Sequence, residues 1–164
     1  MILGITGNSG SGKSHLSQII SKRINAQIID ADEIVKELSE PGNNYYNKII
    51  ELFGKQILKE NKLNKKQIAQ IIYNDSEKRE KLNKLTYKYV VEEIKKRVEK
   101  SKQKNIIIDA PLLFESSLDK ICNKTIAILA DFEIKLQRIT NRDKIDKKIA
   151  KARLDIQPND EYYK

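Results

Sequence analysis

Gly7 and the triplet Gly12-Lys13-Ser14, separated by Asn8-Ser9-Gly10-Ser11, stand at the spacing GxxxxGK[ST]. Glycines at 7, 10 and 12 let the backbone turn tightly enough for successive N–H groups to point inward at an anion. In this pattern the lysine reaches the β- and γ-phosphates of a nucleotide, and the serine hydroxyl ligates Mg²⁺. Residues 7–15 are therefore predicted to bind a nucleoside triphosphate. His15, the single histidine, reads either as a further phosphate contact or as an exposed first-turn residue. Three acids recur at the ends of apolar runs: Asp30 and Asp32 after Ile28-Ile29, and Asp109 after Ile106-Ile107-Ile108. Acids beside a triphosphate repel it unless they hold Mg²⁺ or take a proton from an attacking hydroxyl. Asp109 is thus a candidate Mg²⁺ ligand with Ser14, and Asp32 reads either as a general base or as the N-cap of a helix starting at Glu33. Arg138, Arg142 and Arg153 gather late in the chain. Arginine suits bidentate phosphate contacts, and the competing reading is ion pairing along a helix face.

These groups need a scaffold that brings them together. Ile2-Leu3-Gly4-Ile5 predicts a strand that stops at the loop, and Leu16, Ile19, Ile20 and Ile24 predict a helix with one apolar face on a sheet. Gln27-Ile28-Ile29 predicts a second strand; parallel strands open their carboxyl ends on one edge, where ligands bind. A helix over Glu33–Ser39 breaks at Glu40-Pro41-Gly42-Asn43-Asn44. Tyr45 to Lys104 shows apolar groups at helical spacing and no convincing strand, as expected of an inserted substrate-binding subdomain or lid. Asn105–Asp109 predicts a buried parallel strand and Lys124–Ala130 a fourth buried one, followed by a helix through Ile134, Leu136 and Ile139. The fold class is α/β, a three-layer phosphate-loop arrangement with a mostly parallel sheet. One domain over 1–164 is expected, with a core at 1–40 and 105–136, a helical insertion over about 44–104 and a lid over about 137–157.

A chain of 164 residues buries one core. Its formal charge of +9 invites a nucleic-acid reading, but the lysines are scattered along helical segments without an aromatic-rich basic motif, zinc pattern or helix-turn-helix. The basic surface suits small polyanions instead. No apolar run reaches the roughly 18 residues of a membrane span. The first strand leaves no place for a signal peptide, so a cytoplasmic location is expected; the sequence leaves the oligomeric state open, with a monomer expected. The single cysteine, Cys122, is expected to pack rather than to act as a nucleophile.

The combination resembles the dephospho-CoA kinase family. The likeness runs through GITGNSGSGKS, IIDAD from Ile28, EPG from Glu40, FGKQIL from Phe53 and LNKKQIAQIIYND from Leu63. It continues in LNKLTYKYV from Leu82, IIIDAPLLFE from Ile106, QRITNRD from Gln137 and ARLDIQ from Ala152. It implies ATP- and Mg²⁺-dependent phosphorylation of the ribose 3′-hydroxyl of dephospho-CoA, with small-molecule substrates and neither nucleic acid nor membrane as partner. On that resemblance Asp32 is the general base, Lys13 holds the transferring phosphoryl group, and Arg138 and Arg142 belong to a lid closing over ATP. Asp109, Pro111, Leu112, Leu113, Phe114 and Glu115 shape the acceptor site. Relatives usually carry histidine where this chain has Tyr87, which the resemblance places on the acceptor side. They normally continue past the position of Lys164 into another strand and a helix. The competing readings are a kinase of another nucleoside or small metabolite, a non-catalytic nucleotide-binding relative, and a nucleic-acid binder.

Overall fold

Isoleucine-rich runs of five residues, each ending on a polar group, build the parallel sheet in a computed structural model that describes residues 1–163. Lys164, the last residue of the expected domain, lies outside the described residues. In chain order the elements are β1 (Ile2–Thr6), α1 (Lys13–Ile24), β2 (Ala26–Asp30), α2 (Ala31–Leu38), α3 (Asn44–Phe53), β3 (Leu58–Lys59) and β4 (Lys62–Leu63). There follow α4 (Lys65–Asn74), α5 (Ser76–Lys100), β5 (Asn105–Asp109), β6 (Lys124–Ala127), α6 (Phe132–Asp143) and α7 (Lys147–Asp155). They divide into two units: Met1–Asp30 with the stretch from Lys100 onward, and Ala31–Glu99.

The first unit carries a four-stranded parallel sheet in the order β2-β5-β1-β6. β-Branched side chains suit a pleated, buried surface, and Ile5, Ile107 and Ile108 are fully buried. Ile20 of α1 packs on the cluster of Leu3, Ile5 and Ile107. Two expectations need correction here. Lys124–Ala130 is not a buried strand: β6 is four residues long, pairs only with β1, and leaves Lys124, Thr125 and Ile126 exposed. An apolar run at a sheet edge has one neighbour instead of two, so burial cannot follow from composition alone. The inward face of α1 also differs, because its buried residue is Ser17 while Ile19 is exposed.

In the second unit, Tyr45, Ile49, Phe53, Ile57 and Ile68 form a core on which Leu82, Leu85 and Tyr89 of α5 pack. Tyr45 and Thr86 share a 2.8 Å hydrogen bond inside it. Burial pushes the Tyr45 phenol above its ordinary value, opposed by that bond. Arg97 bridges Glu93 on its own helix and Glu37 of α2. The stretch expected to lack strands holds a small antiparallel hairpin, β3 with β4, turned by Glu60 and Asn61 in the left-handed conformation. Two residues per strand are too few for an alternating pattern to register. Asp32 lies inside the first turn of α2, which starts at Ala31, so it is not the N-cap of a helix beginning at Glu33. An acid there still complements the positive end of the helix.

Candidate active site

β1 runs directly into the glycine loop, and two glycines fit where no other residue does. At Gly7 (φ 145°) an added Cβ would come 2.4 Å from the Ile128 carbonyl; at Gly10 (φ 80°) it would come 2.7 Å from that of Lys135. Ser11 N–H donates to the Asn8 carbonyl at 3.1 Å, closing the turn before α1 begins at Lys13. The first N–H groups of a helix have no partner within it and carry its positive end, so the loop and α1 together form an anion cradle. Ser11 Oγ is buried with no hydrogen-bond partner among the described residues. A loop with an unsatisfied buried hydroxyl fits a polar ligand.

Beside the cradle lies the most buried charge of the site. Asp109, 1% exposed, ends β5 opposite Ile5 on one neighbour and Asp30 on the other. Its Oδ1 is paired with Lys13 Nζ. Its Oδ2 accepts from Ser17 Oγ at 2.8 Å. Burying a carboxylate this deep is costly unless it is paired and hydrogen-bonded.

Two other segments grip the loop. From α6, Arg138 Nη1 donates to the carbonyls of Gly10 (3.0 Å) and Ser11 (3.1 Å). Arg142 donates to Ser9 Oγ at 3.2 Å and to Asp143, which Arg153 of α7 also reaches at 2.9 Å. The bond from Arg142, with both arginine charges, holds the Asp143 carboxyl below its ordinary value. Arg138 thus touches the loop, Arg153 is in an ion pair, and Arg142 does both. The stretch after α7 supplies the second grip. Asn8 Nδ2 donates to the Pro158 carbonyl at 2.7 Å, Ser9 N–H to Gln157 Oε1 at 2.8 Å, and Tyr163 OH to Asn8 Oδ1 at 2.8 Å. Burial, with Glu115 nearby, pushes the Tyr163 phenol up to about 12.

The remaining candidates are placed as follows. Ser14 and His15 are exposed on the first turn of α1. Pro111 is fixed through its carbonyl by Thr6 Oγ1 at 2.9 Å. Leu112 and Glu115 are exposed, and Phe114 meets Tyr162 edge-on. Leu113 is fully buried over Gly4. In the second unit, Asp32 is exposed on α2 and Tyr87 half-buried on α5. Ser17 and Tyr163 were not singled out in the sequence, and Gln157 was met only as the end of the motif ARLDIQ. For Ser17 a signal existed, a polar residue four positions after Lys13 on a helix face expected to be apolar. Among the described residues no three acidic, histidine or cysteine side chains converge, and none of the helices is long and apolar enough to cross a membrane.

The family model described as CoaE, dephospho-CoA kinase, matches residues 1–163. A dephospho-CoA kinase of Fusobacterium nucleatum is 38% identical over 162 residues, 98% of this chain and 83% of that protein. Among solved structures, a Thermus thermophilus protein superposes with a TM-score of 0.84 at 23% identity, over 99% of this chain and 83% of that one. A dephospho-CoA kinase from Campylobacter jejuni superposes with a TM-score of 0.61 at 27% identity, over 94% and 78%.

Proposed function

This chain belongs to the dephospho-CoA kinase family, and we propose that the loop, Asp109 and the α6 arginines form the donor half of its kinase site. The reaction is transfer of the γ-phosphoryl group of ATP to the ribose 3′-hydroxyl of dephospho-CoA, giving coenzyme A and ADP. The observation that carries the assignment of the donor half is the buried Lys13–Asp109 pair at the mouth of the glycine cradle. It stores a lysine, ready to turn to phosphate, against the acid that ends the neighbouring strand.

Phosphoryl transfer leaves a protein mainly positioning and charge neutralisation to perform. Backbone N–H groups of the loop other than those of Ser9 and Ser11, which are bonded within the protein, bind the phosphates, with His15 at the edge of the cradle. Lys13 moves onto the β- and γ-oxygens. Arg138 and Arg142, already bonded to loop atoms, neutralise charge that develops on the transferred group. Asp32 accepts the proton of the attacking hydroxyl, and its place two residues beyond the end of β2 supports that role. On the acceptor side we assign Pro111, Leu112, Phe114 and Glu115 in the sheet-bearing unit and Tyr87 in the unit of 31–99. The Ser14 hydroxyl and Asp109 carboxylate are hard oxygen donors, and one or two such groups completed by water and phosphate are what Mg²⁺ takes. Those two residues would hold it, and when bound it neutralises charge on the β- and γ-phosphates.

Acceptor competition tests the assignment. With ATP and Mg²⁺ fixed, dephospho-CoA is expected to show a kcat/KM at least a hundredfold above adenosine, deoxyadenosine and gluconate. A better acceptor among these overturns the substrate, and ATP binding without transfer to any of them overturns catalysis.

A further inference from the structure

Ser17 is the one buried residue of α1, and it is polar. A helix packing on a sheet presents apolar residues inward, and alanine here would favour the helix more. A hydroxyl at 1% exposure therefore calls for a reason. Its oxygen lies 2.8 Å from Asp109 Oδ2 and 3.0 Å from the Lys13 carbonyl. One hydroxyl proton serves two acceptors, and the ionised, nearer carboxylate is the stronger.

The consequence follows from what Lys13 must do. Among the described residues Asp109 has two partners, Lys13 on one oxygen and Ser17 on the other. When Lys13 turns to the phosphates, the carboxylate loses its cation while still buried. An unpaired charge at that depth is costly, and this cost opposes binding. We infer that Ser17 is a positioning residue that holds the Asp109 carboxylate in place while Lys13 passes from Asp109 to the nucleotide. It touches no substrate and acts through Asp109. The inference rests on the reading of the loop as an ATP site. It assigns Ser17 an effect on nucleotide binding that is greatest when no metal replaces the departing lysine.

The test is ATP affinity measured by calorimetry in EDTA. Ser17→Ala is expected to bind metal-free ATP about tenfold more weakly than the wild type, the scale of a hydrogen bond to a charged group. Its melting temperature without nucleotide should stay within two or three degrees, because Lys13 still neutralises Asp109. In an Asp109→Asn background, where no charge is left bare, the same substitution should change affinity less than twofold. Ser17→Thr, which keeps the hydroxyl, should recover most of the loss. Unchanged affinity in Ser17→Ala overturns the inference, as does a tenfold loss that persists beside Asp109→Asn, or a wild type that binds no ATP in EDTA. A wild type that binds ATP in EDTA yet leaves dephospho-CoA unphosphorylated overturns the substrate assignment alone, and the Ser17 comparison still stands on affinity.

Discussion

Asp32 and Cys122 mark the two extremes of what one side chain does here. Asp32 is exposed in the first turn of α2 and carries the proposed base role. Asp32→Asn keeps its size and removes its basicity. A lost general base costs about a hundred- to ten-thousandfold, so kcat should fall by that factor while ATP affinity stays within twofold. Steady-state kinetics beside calorimetry check this, and near-normal turnover would remove Asp32 from the mechanism. Cys122 is the opposite case. Its thiol donates to the Leu118 carbonyl at 3.3 Å and stands where a Cβ on Gly4 would clash. Burial first, then the Asp119 charge, pushes it up from 9.0 to about 11. The folded state thus holds the thiol proton more tightly than the unfolded chain does. Its contribution to stability is full below pH 9 and is lost between pH 9 and about 11. Alkylation by iodoacetamide should be slow at pH 8 in the native protein and rise toward pH 11, whereas urea-unfolded protein should react readily at pH 8. Equal rates at pH 8 would show that the thiol is not held by the fold.

Among the elements, the glycine loop is held from outside as much as by its own spacing. Gly10→Ala asks a left-handed residue to accept a Cβ 2.7 Å from the Lys135 carbonyl of α6. Such strain costs of order 1–3 kcal/mol; urea titration should show at least that loss, with weaker ATP binding beside it. Tyr163→Phe deletes only the hydroxyl on Asn8. A net hydrogen bond contributes about 1 kcal/mol, so stability should drop by about that much and ATP affinity by a few-fold; no change in either would make the grip on Asn8 incidental. The loop and β1 were legible because spacing and an apolar run lie within one short stretch. The same holds for β5 and its terminal Asp109. The grip of Gln157, Pro158 and Tyr163 on Asn8 and Ser9 was not legible, since these partners lie about 150 residues away along the chain. Ser17 escaped because helical periodicity counts apolar residues and passes over a serine. β6 escaped because Lys124–Ala130 reads alike at a sheet centre or edge, and only the strand order β2-β5-β1-β6 tells them apart.

At the scale of the whole molecule, the sheet-bearing unit is assigned the donor residues Lys13, Asp109, Arg138 and Arg142, and Tyr87 of the unit 31–99 is assigned to the acceptor. That division makes binding separable. Substitution of Tyr87 by Ala, on α5, should raise the KM for dephospho-CoA about tenfold and leave the KM for ATP within twofold. A loss confined to ATP would reverse the assignment of the two units. The central claim is tested most directly by incubating the protein with ATP, Mg²⁺ and dephospho-CoA and resolving the products by chromatography and mass spectrometry. Stoichiometric coenzyme A phosphorylated at the ribose 3′ position, together with ADP, is the expected result. ADP formed at the same rate with and without dephospho-CoA, with no coenzyme A, would contradict it.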